Sequence, residues 1–429
     1  MSLTDGKRHN RVMLLLSPAT YRANAFITAA QRLDLETVSV VDLPRELAEY
    51  YEARLTVDFN KLDVSVEKIV ELVAETPVDA ILSVDDSATE LAALANARLG
   101  LPTNSPDSAT AARDKHAMRT MLKAGGAPYP FFELYPAGID PSEIAGTIAY
   151  PCVIKPRRLS GSRGVIRANN PEEFVTAFNR VKRMLLSDGY ELETSSLLVE
   201  EYLPGVEVAL EGLLTNGSLQ VLTLFDKPDP LDGPFFEETI YVTPSRLPAD
   251  VQQTIADATA AGAAALGLQH GPIHAELRIN ERGPWIIEMA GRSIGGLCST
   301  ILEFGSGVGL EEIILRHAVG MDIPTLERSG SAVGVMMIPI PKAGRLRACR
   351  GVEEALQVPG INGIEISAKM NYPIVPLPEG SSYLGFIFAQ GATPEEVERS
   401  IREAHSRLSF QIDTLIPLMG TLENAQTRP

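Results

Sequence analysis

The chain has 429 residues, 45% of them hydrophobic, and a formal net charge of −17. That size allows two or three domains with filled cores, and the acidic balance excludes a nucleic-acid scaffold, which needs basic faces. Three scattered cysteines, Cys152, Cys298 and Cys349, give neither a disulfide framework nor a zinc spacing and point to a reducing cytoplasm.

The N-terminus has a basic start and a short apolar run. It reads as a buried strand and not as a secretory signal, which needs a longer apolar core. No run approaches the ~20 apolar residues of a membrane span. Residues 11–17 form that strand. A helix over 24–33, a strand over 37–42, a helix over 64–75, a strand over 79–84 and a helix over 88–99 closed by Gly100 follow. Strands separated by helices predict a parallel sheet. Ser-Pro-Ala-Thr follows the first strand in place of G-x-G-x-x-G, so the layer is Rossmann-like without the dinucleotide fingerprint.

Residues 107–125 predict one helix, ending at Gly125-Gly126. A strand over 149–156, a Gly/Ser loop over 160–165, a short strand and a helix over 171–186 come next. Residues 196–205 read as a strand and turn, and 208–227 as a hairpin with Asn216-Gly217 at its tip. An alanine-rich helix over 256–266 leads to a second hairpin with a turn at Asn280-Glu281-Arg282-Gly283, then a helix over 310–319. Beyond about residue 330 short strands alternate with Pro and Gly, and residues 393–408 close the region as a helix capped by Thr393 with Pro394 and Glu396. Residues 331–429 read as a separate small α+β domain whose last ten residues fray.

The polar residues inside these elements suggest chemistry. Lys155 ends the buried strand CVIKP, and five residues on comes Ser160-Gly161-Ser162-Arg163-Gly164. Glycines let a backbone approach a ligand and free N–H groups cradle an anion, so the pair suggests phosphate; a lysine beside an ordinary hairpin turn explains it equally well. Glu200-Glu201-Tyr202-Leu203-Pro204-Gly205 follows a strand and offers backbone groups to a purine edge, with Glu207 near enough for ribose hydroxyls; a solvated acidic strand end is the simpler alternative. Glu276 and Glu288 fall on the two arms of the second hairpin among apolar neighbours. Two such carboxylates suit Mg²⁺, which takes one or two protein carboxylates and completes its shell with water and phosphate. Arg292, ahead of Ser293-Ile294-Gly295-Gly296, could neutralise a transferring phosphoryl group. His274 shares a strand face with Glu276, although a lone histidine is more often structural.

In order and separation these pieces resemble the ATP-grasp superfamily over roughly residues 10–325. The resemblance implies an α/β protein of ATP-grasp architecture: a Rossmann-like N-terminal domain (1–105), two lobes that grasp the nucleotide (106–205, including the hinge, and 206–330, with the metal site) and the α+β C-terminal domain (331–429). It implies that Lys115 and Lys155 hold ATP phosphates, that Ser160, Gly161, Ser162 and Gly164 close over them, and that Glu200, Glu201, Tyr202 and Leu203 form the adenine hinge. Glu207 takes the ribose, and Glu276 and Glu288 bridge Mg²⁺, one ion or two, with Mn²⁺ a substitute. Many members carry asparagine two residues after the second glutamate; here Ala290 stands there, which leaves the metal count open.

Within the superfamily the chain looks most like the L-amino-acid ligases, through IIEMAGRSIGG, through Asp226-Lys227-Pro228 with Pro234-Phe235-Phe236-Glu237-Glu238 and Thr243-Pro244, and through the C-terminal domain. The implied activity is an ADP-forming carboxylate–amine ligation through an acyl phosphate, in the cytoplasm, with no nucleic-acid or membrane partner and with a homodimer as the assembly common in the family. Arg292 and Lys155 are then catalytic, and His274, Glu237, Arg292, Ser293, Gly295 and Gly296 contact substrate, with Phe235, Phe236, Tyr241 and Leu297 as further lining. A ligase for a non-amino-acid carboxylate and a nucleotide-binding protein without turnover are the competing readings.

Overall fold

The computed structural model describes residues 9–18, 20–47, 53–305 and 307–414; the reading of 420–429 as frayed lies outside them. The N-terminal strands Arg11–Leu16, Glu36–Asp42, Leu55–Val57 and Ala80–Ser83 form one parallel sheet, in the order Leu55–Val57, Glu36–Asp42, Arg11–Leu16, Ala80–Ser83. Apolar runs buried on both faces make such a sheet. One face, with Met13 and Leu15, packs on helices Leu62–Glu75 and Thr89–Leu99. The other, with Val12 and Leu14, shares a core with Ile313 and Ile314 of helix Leu310–Ala318. The layer is thereby tied to the rest of the chain.

The predicted helix over 107–125 is two helices, Pro106–Arg113 and Lys115–Gly125. Asp114 stands between them in an extended conformation (φ −103°, ψ 108°), and its carboxylate accepts from the His116 and Ala117 amides. Helical periodicity runs through such a break, and only the cap reveals it. The break turns Lys115 and Arg119 inward on one face of the second helix, where both are buried.

Two antiparallel sheets face each other across the centre. The smaller runs Phe132–Pro136, Ser196–Glu201, Cys152–Pro156, Ile166–Ala168. The larger has eight strands in the order Gly283–Ala290, Gly271–Asn280, Val206–Thr215, Ser218–Lys227, Ile240–Thr243, Ala332–Ile338, Gly385–Gly391, Ile361–Glu365. Asn216 and Gly217, both left-handed (φ 51° and 80°), close its first hairpin as the sequence predicts. The region after residue 330 is joined edge to edge: Ile240–Thr243 pairs with Ala332–Ile338. The change of texture at that point therefore marks a change of strand length and turn density within a continuous sheet. Among the described residues no helix is long and apolar enough to cross a membrane.

Candidate active site

Alternation along the large sheet builds the site. On Gly271–Asn280 the side chains of Ile273, Ala275 and Leu277 enter the core, so His274, Glu276 and Arg278 face the opposite way. On Val206–Thr215, Val208 and Leu210 are core and Glu207 and Glu211 face the site. The register sets His274 opposite Glu211, Arg278 opposite Glu207, and Lys227 opposite Glu207 from the other side. Opposite charges thus meet directly across the ladder. Arg278 Nε donates to Glu207 at 2.8 Å, and Lys227 Nζ reaches Glu207 at 2.9 Å, Glu238 at 2.6 Å and Glu276 at 3.2 Å.

Glu276 and Glu288 are register partners, as the hairpin suggested. The pairing then skips Ile287, a bulge in the strand Gly283–Ala290, and the Ile287 carbonyl accepts from Arg119 Nη2 at 2.6 Å. A bulge re-aims the side chain beside it, and here that side chain is Glu288. Lys115 Nζ lies 3.8 Å from Glu288 and donates to the Leu159 carbonyl at 2.8 Å. The tightest carboxylate cluster among the described residues is instead Glu207, Glu238 and Glu276. The Lys227 ammonium lies nearest Glu238 and Glu207, and Arg278 also holds Glu207, so these two are engaged by the protein, while Glu276, at 3.2 Å from Lys227, is shared between that cluster and the cavity. Glu276, although also paired with Lys227 and His274, and Glu288 are hard oxygen donors that both line the cavities, and they fit a Mg²⁺ whose remaining ligands are water and phosphate. Ala290, buried opposite His274, adds no donor.

Burial alone would lower the Lys227 ammonium, but the three carboxylates outweigh it and hold it well above its usual range. Burial would lower His274 too, yet Glu211, which shares a close hydrogen bond with Nδ1, and Glu276 hold it up to about 9. His274 is therefore the charged imidazolium at neutral pH. Burial and neighbouring Glu276 push the Glu238 carboxyl up, while Lys227 and His274, outweighing burial, hold Glu276 well below the usual carboxylate range.

The first lobe supplies a second buried ion cluster. Glu200 accepts from Arg119 Nε at 2.7 Å and lies 2.7 Å from Lys155 Nζ. Burial would raise the Glu200 carboxyl, but Arg119 and Lys155 hold it below its normal value; burial pulls Lys155 down in spite of Glu200. Glu200 therefore departs from the hinge reading. Its side chain orients Lys155, and its backbone is taken up in the ladder between Phe132 and Val153. The amides of Glu201 and Tyr202 are paired with the Phe131 and Pro151 carbonyls at 2.9 and 3.1 Å, which leaves Leu203 as the next backbone donor.

Two cavities meet here. The smaller is lined by Lys115, Lys155, Tyr202, Leu203, Glu207 and Phe236. The larger is lined by Ser160, Gly161, His274, Arg292, Gly295 and Gly296, with Tyr241. Ser162, Glu238, Glu276 and Glu288 belong to both. Gly161, Ser162 and Gly164 are all left-handed (φ 63°, 55° and 72°), a tight loop that turns its amides. The Gly164 amide donates to the Pro378 carbonyl at 2.9 Å and Arg163 Nε to the Glu379 carbonyl at 2.6 Å. Glu379 also takes a two-pronged pair from Arg180, at 2.6 and 2.9 Å. A segment from the C-terminal region thus holds the Gly/Ser loop in place. Charge reversal Arg180→Glu is expected to raise the KM for ATP roughly fivefold, the scale of a part-exposed pair worth about 1 kcal/mol, and Arg180→Glu with Glu379→Arg should restore it; steady-state kinetics at varied ATP checks this.

Four sequence-stated contacts stand elsewhere. Glu237 lines neither cavity, and Glu238 takes its place because the residues alternate along the segment. Ser293 is buried: its hydroxyl accepts from Arg22 at 2.7 Å and its carbonyl from Arg292 at 2.8 Å, so it shapes the loop and does not face substrate. Phe235 packs under Arg180, and Leu297 lines neither cavity. Arg292 does face the larger cavity, but Asp86 grips it with two bonds, at 2.7 and 2.6 Å. Burial would raise the Asp86 carboxyl, and Arg292 more than offsets it. Asp86, Arg119 and Glu211 were not singled out from the sequence, and Lys227 and Glu238 entered only as parts of the motifs behind the resemblance, with no role at the site. For Glu211 the signal is a charge at alternate positions of an apolar strand, as in VEVALEG, and for Arg119 its place one helical turn from Lys115; Asp86, in a short turn, and Glu238, outside any strand, carry no such signal. Asp86→Asn is expected to lower turnover about tenfold, the usual scale for a partner that orients a working group, with little change in the KM for ATP.

Three family matches coincide with this architecture. Residues 27–103 match the ATP-grasp N-terminal domain, 148–301 the ATP-grasp domain and 336–413 the L-amino acid ligase C-terminal domain 2. The chain belongs to the ATP-grasp superfamily. Its fold is that of a crystallised L-amino acid ligase from Bacillus licheniformis, with a TM-score of 0.81 at 23% identity over 95% of this chain and 100% of that one. The alanine–anticapsin ligase of Bacillus subtilis strain 168 is 28% identical over 275 residues, which are 60% of this ATP-grasp chain and 58% of that ligase. An uncharacterised protein of Sinorhizobium fredii is 22% identical over 415 residues, 95% of this chain and 84% of that one.

Proposed function

We propose that this ATP-grasp protein is an ATP-dependent, ADP-forming carboxylate–amine ligase that joins amino acids through an acyl phosphate. The observation that carries this is the meeting of the two cavities at Glu276 and Glu288, with cations on the smaller side and Arg292 on the larger. A triphosphate in the first places its γ-phosphate at the carboxylates; an organic acid in the second reaches the same point. A nucleotide-binding role without turnover would need the first cavity alone.

The substrate carboxylate oxygen attacks the γ-phosphorus and ADP leaves. The amine nitrogen then attacks the acyl carbon and expels phosphate, with loss of one amine proton, so that the amide, ADP and phosphate are the products. Lys115, Lys155 and the amides of residues 160–164 hold and orient the phosphates. Arg292, positioned by Asp86, faces the charge that develops on the transferred group. The loop held by Pro378 and Glu379 keeps water from the acyl phosphate. Glu276 and Glu288 would hold Mg²⁺, or Mn²⁺ with the same preference for oxygen ligands, and the bound ion would supply charge neutralisation to the phosphates.

The reading keeps residues 1–105, 106–205, 206–330 and 331–429 as units; the family matches at 27–103 and 336–413 support the first and last as sequence units, although the strands of the last continue the sheet of 206–330 and the match at 148–301 spans both lobes. A cytoplasmic site of action is supported by three free cysteines. The homodimer rests on the resemblance, and light scattering tests it. The activity is tested by phosphate release from ATP and Mg²⁺ with pairs of amino acids, products identified by mass. Amide product with stoichiometric phosphate is expected; release indifferent to the amine, or none at all, sinks the reading.

A further inference from the structure

The larger cavity has a second character besides its phosphate end. Tyr21 from the N-terminal layer and Tyr383 and Phe386 from the C-terminal region converge on it, with Met337 from the strand Ala332–Ile338. Tyr21 meets Phe386 edge-on at 5.7 Å between ring centres, and Tyr383 lies 6.4 Å from the same ring. Gly296 is left-handed (φ 59°), and a Cβ there would stand 3.2 Å from Phe386, so the chain runs close under this ring. Neighbouring Gly295 has no such constraint: a Cβ added to it meets nothing within 4 Å. Three distant parts of the chain and two bare backbone positions therefore frame one apolar recess.

The charges in the lining do not compete with that recess. Asp86 is held by Arg292, Glu238 and Glu276 by Lys227, His274 by Glu211, and Glu288 has Lys115 at 3.8 Å. A charged side chain entering here would lose its water and find every counter-ion engaged. An apolar one would cover the rings of Tyr21 and Tyr383, which keep exposed surface, while Phe386 and Met337 are packed in the core behind them.

We propose that this recess binds the side chain of an amino-acid substrate and selects a large apolar or aromatic one, with the rings of Tyr21 and Tyr383 as the selecting wall and the buried Met337 and Phe386 fixing them from behind. The inference rests on the ligase reading for turnover but not for binding. The carboxylate end of the same molecule then lies toward Arg292, which lines the other end of the cavity, and the recess takes its side chain.

The test uses the full-length protein with ATP and Mg²⁺ and all pairs drawn from Phe, Tyr, Trp, Leu, Met, Gly, Ala, Ser, Asp, Glu and Lys. Pairs containing one of the first five are expected to exceed pairs without any by tenfold or more in kcat/KM, since each methylene in a fitted apolar pocket discriminates by roughly tenfold or more. Highest rates for pairs of small or charged residues overturn the proposal. Should no pair release phosphate, the ligase reading fails, and thermal shift with a non-hydrolysable ATP analogue, Mg²⁺ and single amino acids decides this one. A shift by the large apolar set alone supports it; no shift by that set, or an equal shift by all, overturns it. Two substitutions locate the recess. Tyr21→Ala, at a partly exposed ring, and Gly295→Leu, which adds a side chain into open space, should each raise the KM of the preferred amino acid about tenfold, with the KM for ATP unchanged. A uniform loss for all amino acids, or no change for any, counts against the recess.

Discussion

Replacing Glu288 by Gln is expected to lower ATP-dependent turnover roughly 1,000-fold while leaving the melting temperature where it is. The carboxylate faces the point where the two cavities join, and losing a metal ligand there removes several kcal/mol of charge stabilisation. Its partner across the ladder gives a less clean experiment. Glu276 also balances Lys227 and His274, so Glu276→Gln disturbs a buried charge cluster as well as the chemistry. Glu288 has its nearest cation, Lys115, only at 3.8 Å, a contact of small value to stability. Phosphate-release kinetics beside a melting curve separate the two effects. Wild-type turnover in Glu288→Gln would remove the metal role and with it the acyl-phosphate chemistry.

The largest effect on stability belongs to Glu200. Arg119 and Lys155 both depend on its carboxylate, and the three side chains are 0%, 7% and 2% exposed for Arg119, Lys155 and Glu200. Glu200→Gln removes the negative charge and leaves two buried cations facing each other without compensation. Breaking a buried pair from one side costs about 3–5 kcal/mol, and the loss is expected as a melting temperature several degrees lower. Arg119 also donates to the Ile287 carbonyl at the bulge beside Glu288, so the same substitution should loosen the metal-facing strand and raise the KM for ATP. An unchanged melting temperature would mean that water already reaches the cluster.

Much of this was written locally. The parallel N-terminal layer follows from apolar runs separated by amphipathic helices, and the Asn216-Gly217 hairpin from two residues that tolerate a left-handed backbone. The hairpin and its two-residue turn were legible, but regular pairing from that turn sets Glu276 opposite Ile287; the bulge at Ile287, which the sequence does not announce, brings Glu288 opposite Glu276. Lys155 and the Gly/Ser loop were legible because a lysine at the end of a buried strand is uncommon and glycines announce an unusual backbone. The break at Asp114 was not legible, because apolar spacing continues through it and only the cap geometry shows that the aspartate serves the next helix.

The residues that set the state of each charge are another matter. Arg292 is recognisable as a cation near the site, but that Asp86, more than two hundred residues earlier, holds it depends on how the N-terminal layer docks. Lys227 reads as the end of a hairpin strand until the register brings Glu207, Glu238 and Glu276 around it. The Glu379 clasp and the aromatic recess likewise join segments far apart in sequence. By itself the sequence determined the strands, the turns and which faces would be polar, since these obey periods of two and 3.6 residues along the chain. Tertiary structure alone decided which charges neutralise one another and which cavity each faces, because electrostatic energy depends on distance and burial in space and not on separation along the chain.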